Sequence, residues 1–283
     1  MTPPKPRTRG LAGPALSASR AKEYERCPFQ YRLHVVDRIS EPATRATALG
    51  TLVHSVLEDL FDLPAPQRAP EAALDLLSSA WARTREASPE LLGLFEDPED
   101  EAAWLASAGE VVSAYFAIED PQWLAPAARE RLVEAVTPDG IRLRGFIDRI
   151  DRSPAGELRV VDYKTGRAPS PRFQDEALFQ MRFYALLLRL TDRLPARTQL
   201  LYLKAGRVLT FDPTPADIDR FADEISELWG RIEADAKRGE FAPRRNPLCG
   251  WCGVRALCPI FEGAAPEIPA EGLARLLETR VSA

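Results

Sequence analysis

The sequence lacks the features that mark membrane, secreted and disordered proteins. Of its 283 residues 45% are hydrophobic, which excludes a disordered chain. No apolar run approaches the roughly 18 residues of a membrane span, and even the run from Ala185 to Leu188 is followed at once by arginine. The basic, proline-rich start has no apolar segment with a small-residue cleavage site, so secretion is not expected. We therefore expect a cytoplasmic protein.

The chain has no excess of positive charge, few cysteines and no nucleotide-binding loop. The net charge of −5 excludes coating of nucleic acid by bulk positive charge, so that any such contact must use a local groove. Four cysteines are too few and too clustered for a disulfide framework, and metal binding is the better interpretation. The absence of a G-x4-G-K-[S/T] loop excludes an ATP-driven helicase motor in this chain.

The hydrophobic pattern predicts helices first and then strands alternating with helices. Residues 1–14 read as a flexible tail. The periods predict an α/β or α+β core with a helical amino-terminal elaboration. The expected elements are a helix from Ser17 to Pro28, a helix from Thr47 to Phe61, two or three helices in 70–118, strands at 131–137, 141–152 and 157–165, a helix at 174–190, strands at 198–204 and 207–211, and a helix at 215–238.

Two aspartates in the first predicted hairpin are the strongest candidates for chemistry. Asp148 and Asp162 are equally distant from Ala155 in the turn, so a regular antiparallel hairpin places their Cβ atoms about 5 Å apart. Lys164 shares the face of Asp162. Paired carboxylates call for a cation, and Mg²⁺ or Mn²⁺ is the usual one. The alternative is an exposed ion-pair ladder, which the apolar residues before each aspartate disfavour.

Two helices carry further candidates. His54 could supply a nitrogen ligand and Glu58, one turn away, a carboxylate that orients it. Gln180 and Tyr184 form a similar pair on the helix after the hairpin, where they could position a phosphate or the attacking water. Taken alone, each pair is better interpreted as an ordinary helix surface. Candidate contacts to a DNA backbone are Arg142, Arg144, Arg149, Arg182, Arg244 and Arg245.

The cysteines form a second candidate site. Cys249, Cys252 and Cys258 have the spacing C-x2-C-x5-C, and Cys27 is the remaining cysteine. Four thiolates suit either a tetrahedral zinc ion or an iron–sulfur cluster, and spacing does not separate the two. A shared site would join residues more than 200 positions apart and stabilise the whole fold.

Together these motifs resemble the RecB-like branch of the PD-(D/E)xK nuclease superfamily, which includes the nuclease domain of AddB and CRISPR-adaptation nucleases with an iron–sulfur cluster. No single motif is specific, but all occur in the family's order. The matching segments are Ser17-x-Ser19-Arg20 through Cys27-Pro28, Gly50-x3-His54-x3-Glu58, Gly145-x2-Asp148-Arg149, Asp162-Tyr163-Lys164, Gln180-x3-Tyr184, and the three carboxyl-terminal cysteines.

The resemblance implies a restriction-endonuclease-like mixed β-sheet flanked by helices, with a cysteine-cluster region near the carboxyl end. It implies a single nuclease domain over 15–263 with a helical insertion at about 64–126, followed by a tail or short helix at 264–283. It also implies that His54, Asp148, Asp162 and the Tyr163 carbonyl surround the metal, with Lys164 beside the water. The four cysteines would hold [4Fe–4S], with Zn²⁺ as the less favoured ion.

The function implied is a metal-dependent DNA exonuclease that acts on single strands or free ends in DNA repair, recombination or related processing. A separate helicase, repair or CRISPR partner is compatible with the missing motor motif. Two other hypotheses remain: a non-catalytic iron–sulfur or zinc module that binds DNA or a helicase, and a structural protein held by zinc.

Overall fold

A five-stranded mixed sheet forms the centre of the computed structural model, which describes residues 13–281. The strands are β1 (Pro126–Val136), β2 (Arg142–Arg152), β3 (Leu158–Lys164), β4 (Arg197–Tyr202) and β5 (Arg207–Phe211), and they lie in that order. The β3–β4 pair is parallel and the other three pairs are antiparallel. The predicted restriction-endonuclease-like mixed sheet, flanked by helices, is confirmed.

Helices cover both faces of this sheet. In chain order they are α1 (Ala18–Arg26), α2 (Pro28–Val35), α3 (Arg45–Leu60), α4 (Pro70–Ala87), α5 (Pro98–Tyr115), α6 (Asp175–Thr191), α7 (Pro215–Arg238) and α8 (Ala270–Leu277). Short 3-10 turns connect several of them. No helix within residues 13–281 is long and apolar enough to cross a membrane.

Local signals explain the helix ends that the sequence predicted. The Ser17 hydroxyl caps α1 by accepting from the Arg20 N–H, and Pro28 begins α2. Thr214 and Asp217 form a reciprocal capping box at the start of α7, where Pro215 takes the first helical position. Gly239, with φ of +67°, ends α7 in the left-handed conformation that glycine adopts without a steric cost. The bounds of α7 are therefore the predicted ones.

Neighbouring residues of β3 divide the core into two layers. Val161 packs with α3, α4 and α5 around Trp81 and Trp104. Val160 faces the opposite side, with α6 and α7. Because successive side chains of a strand point to opposite faces, the short apolar run of β3 contributes to the core on both faces of the sheet. The helices at 70–118 thus form one wall of the core.

The carboxyl-terminal segment closes the edge of the β1–β2 hairpin. Leu276 of α8 is buried in the core. The Arg142 N–H donates to the Thr279 carbonyl, and the Val281 N–H donates to the Gly140 carbonyl. Gly140 has φ of +89°, and a Cβ added there would lie 2.5 Å from the Val281 carbonyl oxygen. Of the predicted amino-terminal tail, residues 1–12 lie outside the described part of the chain.

Candidate active site

The predicted carboxylate pair lies where β2 and β3 part. The two strands pair in the predicted register, in which partner residues are equally distant from Ala155. The paired residues end at Arg149 and Val161. Just beyond these residues, the Tyr163 N–H donates to Asp148 Oδ2 at 2.7 Å. A side-chain carboxylate on β2 thus accepts the hydrogen bond from this N–H of β3. Asp148 and Asp162 are both buried, with 7% and 3% of their surface exposed.

Asp162 is surrounded by the other predicted catalytic side chains. Its Oδ1 accepts from Gln180 Nε2 at 2.8 Å and from the Tyr184 hydroxyl at 3.1 Å. Gln180 Nε2 also lies 2.9 Å from the Tyr184 hydroxyl, so α6 holds the carboxylate with two neighbouring groups. The Lys164 ammonium lies 2.6 Å from Oδ2. Gln180 and Tyr184 therefore contact a carboxylate, and their predicted contact with a phosphate or the attacking water stays a prediction.

His54 approaches the same point from α3. Its Nε2 lies 2.9 Å from the Tyr163 carbonyl oxygen, and its Nδ1 lies 3.4 Å from Asp148 Oδ2. The Tyr163 carbonyl and the Asp148 carboxylate thus both contact the imidazole ring of His54, which is far from them along the chain. Glu58 lies one turn further along α3, and its contribution stays a prediction.

Glu130 on β1 is a carboxylate that the sequence analysis missed. Its Oε1 lies 3.7 Å from His54 Nδ1, and ligand atoms of His54, Glu130 and Asp148 lie within 4.8 Å of one another. Partner residues of β1 and β2 are equally distant from Asp139, which places Glu130 opposite Asp148. The same symmetry argument that paired Asp148 with Asp162 about Ala155 would therefore have identified Glu130 about Asp139. Glu130 has φ of +41°, an uncommon backbone conformation for a residue other than glycine.

Burial and charge shift the protonation of this group. Burial raises the pKa of Asp148 to about 6, and the nearby Asp162 carboxylate adds to the rise. For His54, burial lowers the pKa, but hydrogen bonds to Asp148 and Glu130 outweigh it and raise the pKa to about 11. The pKa of Lys164 is raised, because the attraction of Asp162 exceeds the opposing effect of burial. Without a bound cation, His54 and Lys164 therefore carry the positive charge of the site at neutral pH.

Arg149, predicted as a contact to DNA, is instead buried beneath the site. Only 1% of it is exposed. Its guanidinium donates to the Tyr163 hydroxyl at 2.7 Å and to Glu119 at 2.7 Å. The prediction was wrong because sequence does not reveal that β2 changes its packing at Asp148: Ile147 joins the α6 side of the core, whereas Arg149 contacts the ring of Phe61 on the other side. Arg149 supports the strand that carries the Tyr163 carbonyl.

The four cysteines line one cavity between the end of α1 and the carboxyl-terminal loops. The cavity has a volume of about 170 Å³. The Arg244 N–H lies 3.4 Å from Cys27 Sγ, and the Asn246 N–H lies 3.3 Å from Cys249 Sγ. Backbone N–H groups therefore contact two of the four sulfurs. Cys252 and Cys258 complete the lining.

The sequence profile of the PD-(D/E)XK nuclease superfamily matches residues 15–259. The chain belongs to the PD-(D/E)XK nuclease superfamily. The predicted relationship is thereby confirmed at the level of the superfamily.

Two curated proteins and a solved structure are similar to most of the chain. The chain is 29% identical to the Gene 69 protein of Mycobacterium phage L5, over 88% of this chain and 97% of that protein. It is 26% identical to the Gene 69 protein of Mycobacterium phage D29, over 88% and 98% respectively. A crystal structure of a candidate exonuclease from Eubacterium rectale shares the fold, with a TM-score of 0.54 and 15% identity over 84% of this chain and 86% of that one.

PD-(D/E)XK nucleases use divalent metals, and the side chains present here fit one. Neighbouring ligands of an octahedral ion lie roughly 3.0 Å apart when each is about 2.1 Å from the ion, and His54 Nε2 lies 2.9 Å from the Tyr163 oxygen. The buried Asp162 Oδ2 has the Lys164 ammonium at 2.6 Å. Positive charge is thus already accommodated at this oxygen.

Proposed function

We propose that this PD-(D/E)XK nuclease is a Mg²⁺- or Mn²⁺-dependent DNA exonuclease that hydrolyses phosphodiester bonds. The observation that carries the proposal is the meeting of His54, Asp148, Asp162 and the Tyr163 carbonyl beside Lys164, at the point where two strands part. Carboxylate and carbonyl oxygens are the ligands that Mg²⁺ and Mn²⁺ prefer, and imidazole is a common metal ligand in proteins. The proposed ligands are these four groups, with Glu130 at the rim.

Each side chain has a distinct task in this proposal. A divalent ion held by the four groups supplies Lewis acidity and an activated water. Lys164, kept protonated by Asp162, donates to the attacking water or to a phosphate oxygen. Gln180 and Tyr184 fix the orientation of Asp162, so that its second oxygen is directed at the site. The proposed role of Glu58 is to orient His54.

We propose further that Cys27, Cys249, Cys252 and Cys258 bind a [4Fe–4S] cluster. The four cysteines line one cavity, and four cysteine thiolates are the ligand set of a [4Fe–4S] cluster. A tetrahedral zinc ion takes the same four ligands, and the resemblance to iron–sulfur nucleases favours the cluster.

Degradation of end-labelled DNA tests the nuclease proposal. Anaerobically purified protein is incubated with single- and double-stranded DNA in Mg²⁺, Mn²⁺ or EDTA. Wild type is compared with Asp162→Ala and with Asp212→Ala, an exposed aspartate on the far side of the sheet that pairs with Arg197. We expect metal-dependent cleavage that falls at least about 100-fold in Asp162→Ala and is unchanged in Asp212→Ala.

Circular DNA separates an exonuclease from an endonuclease. An exonuclease degrades linear single strands and leaves a circular single strand intact, whereas cleavage of the circle would contradict the exonuclease proposal. Absence of cleavage on every substrate by folded protein would favour the non-catalytic DNA- or helicase-binding module.

The proposal also places the protein in DNA repair or recombination, with a separate helicase or CRISPR partner. Copurification tests this part.

A further inference from the structure

A cavity opens directly beside the proposed catalytic groups. It lies between the start of α1, β2 and α6 and has a volume of about 450 Å³, which is within the range of ligand-binding pockets. Lys164, Gln180 and Tyr184 form one wall of it. A molecule in this cavity therefore touches the side chains that hold the site together.

The β2 strand is pressed against α6 at the floor of the cavity. A Cβ added to Gly145 would lie 2.8 Å from Leu187 Cδ1 and 3.2 Å from Tyr184 Cε1. The neighbouring residue, Phe146, is 58% exposed although Gly145 and Ile147 on either side of it are buried. The ring of Phe146 lines the same cavity, two residues before Asp148. A large aromatic side chain thus meets solvent at the edge of a polar site.

The charge of the lining suits a polyanion. Three cationic side chains, Lys22, Arg144 and Lys164, line the cavity, and they pair with Glu25, Glu134 and Asp162 respectively. The carboxylate among the lining residues is that of Glu176. The hydroxyls of Ser17 and Ser19 add neutral donors at the start of α1. Cations beside an exposed aromatic ring are the combination that binds single-stranded nucleic acid, in which the ring stacks on a base and the cations follow the backbone.

We propose that this cavity binds the nucleotide next to the scissile phosphate of a single DNA strand, with its base stacked on Phe146. The inference rests on the proposed nuclease function and names the form of its substrate. A base inside a duplex already stacks on both faces and has no face free for the ring. Phe146 consequently selects an unpaired strand, and Arg144 and Lys22 lie where they can contact its phosphates.

Binding measured by fluorescence anisotropy tests this inference. The full-length protein is titrated, in EDTA to prevent cleavage, into a labelled oligothymidylate, an abasic strand of the same length and a blunt duplex. The variants are Phe146→Ala, Phe146→Trp and Trp123→Ala; Trp123 is a matched control because it is 86% exposed and lies outside this cavity. Phe146 is mostly exposed, so its replacement leaves the fold intact.

We expect Phe146→Ala to weaken binding of the oligothymidylate about tenfold, within the range of roughly 5- to 150-fold that corresponds to the loss of one stacked base. Binding of the abasic strand should change less than twofold, because it has phosphates but no bases. Phe146→Trp should bind as wild type, since it keeps a ring, and Trp123→Ala should also bind as wild type.

Three results would overturn the inference: unchanged binding of the oligothymidylate by Phe146→Ala, an equal loss on the abasic strand, or an equal loss on the duplex. The cleavage assay with Mn²⁺ is read separately. If wild type cleaves DNA but Phe146→Ala binds normally, the stacking site is wrong and the nuclease proposal stands. If wild type cleaves no DNA, the nuclease proposal fails whatever the binding data show.

Discussion

Asp148 has three different groups around its carboxylate. The Tyr163 N–H and the His54 ring contact its Oδ2, and the negative charge of Asp162 is nearby. Burial and this second carboxylate raise its pKa to about 6. The folded chain therefore binds a proton at Asp148 more tightly than the unfolded chain does. The stability that this proton contributes is complete below about pH 4 and is lost as the pH rises through about 6.

Replacement of Asp148 by asparagine should therefore stabilise the metal-free protein at alkaline pH. We expect Asp148→Asn in EDTA to have a higher free energy of unfolding than wild type at pH 8, by on the order of 1–3 kcal/mol, since one pKa unit corresponds to about 1.4 kcal/mol. The difference should disappear near pH 4. Denaturant unfolding at several pH values measures it, and a destabilised variant at pH 8 would contradict the assignment.

Added metal should raise the melting temperature of wild type more than that of Asp148→Asn. Mn²⁺ binds the folded state alone and should raise the melting temperature of wild type at pH 8. Asp148→Asn lacks one of the proposed ligands and should show little of that rise. Thermal unfolding with Mn²⁺ and with EDTA gives both values, and an equal rise in the two proteins would place the ion elsewhere.

Glu130 offers a second test at the scale of a residue. It shares the group around His54 with Asp148, so we expect Glu130→Gln, which keeps the size and removes the charge, to weaken binding of Mn²⁺ about tenfold. Glu157→Gln, in the turn between β2 and β3, is the matched control. Isothermal titration calorimetry measures both affinities. Wild-type affinity in Glu130→Gln would show that this carboxylate only neutralises His54.

Helix α6 packs over the sheet and contacts the Asp162 carboxylate. Its Gln180 and Tyr184 side chains hold Asp162, and the ring of Tyr184 packs over Gly145 of β2. The sequence predicted the helix and the spacing of this pair, because both follow from local periodicity. It did not predict that the pair holds a carboxylate, since that depends on how α6 packs over the sheet.

Two glycine substitutions test this packing. Gly145→Ala forces Leu187 and Tyr184 to move, and we expect it to lower the free energy of unfolding by about 1–3 kcal/mol. Gly230→Ala is the matched control: it lies on the exposed side of α7, where an added Cβ meets no atom within 4 Å. This change should stabilise α7 by up to about 1 kcal/mol. Chemical denaturation compares them, and equal effects would mean that β2 and α6 are loosely packed.

Helix α1 links the two proposed sites of the whole molecule. Its first residues line the cavity beside Lys164, and Cys27, which follows its last residue, lines the cavity of the cysteines. The carboxyl-terminal cysteines therefore meet a segment more than 200 residues earlier in the chain. A cluster that joins them would hold α1 against the nuclease core and stabilise both.

Loss of one cysteine should accordingly affect the entire fold. We expect Cys27→Ala and Cys252→Ala each to lose iron and to lower the melting temperature by on the order of 10 °C, because the free energy of metal binding is coupled to folding. Iron and zinc analysis of anaerobically purified protein, combined with thermal unfolding, measures this. Zinc in place of iron would contradict the cluster, and full iron in Cys27→Ala would exclude this residue as a ligand.

Sequence alone determined most of the elements, though not α2. It also determined the register of the β2–β3 hairpin and the placement of Asp148, Asp162 and Lys164 in one patch, because helix periods, turns and strand alternation are local properties. Tertiary structure decided which distant groups join that patch. It placed His54 against the Tyr163 carbonyl, buried Arg149 and exposed Phe146, since each outcome depends on how β2 changes its packing at Asp148 and how α1, α3 and α6 close around the sheet. No local pattern encodes those contacts.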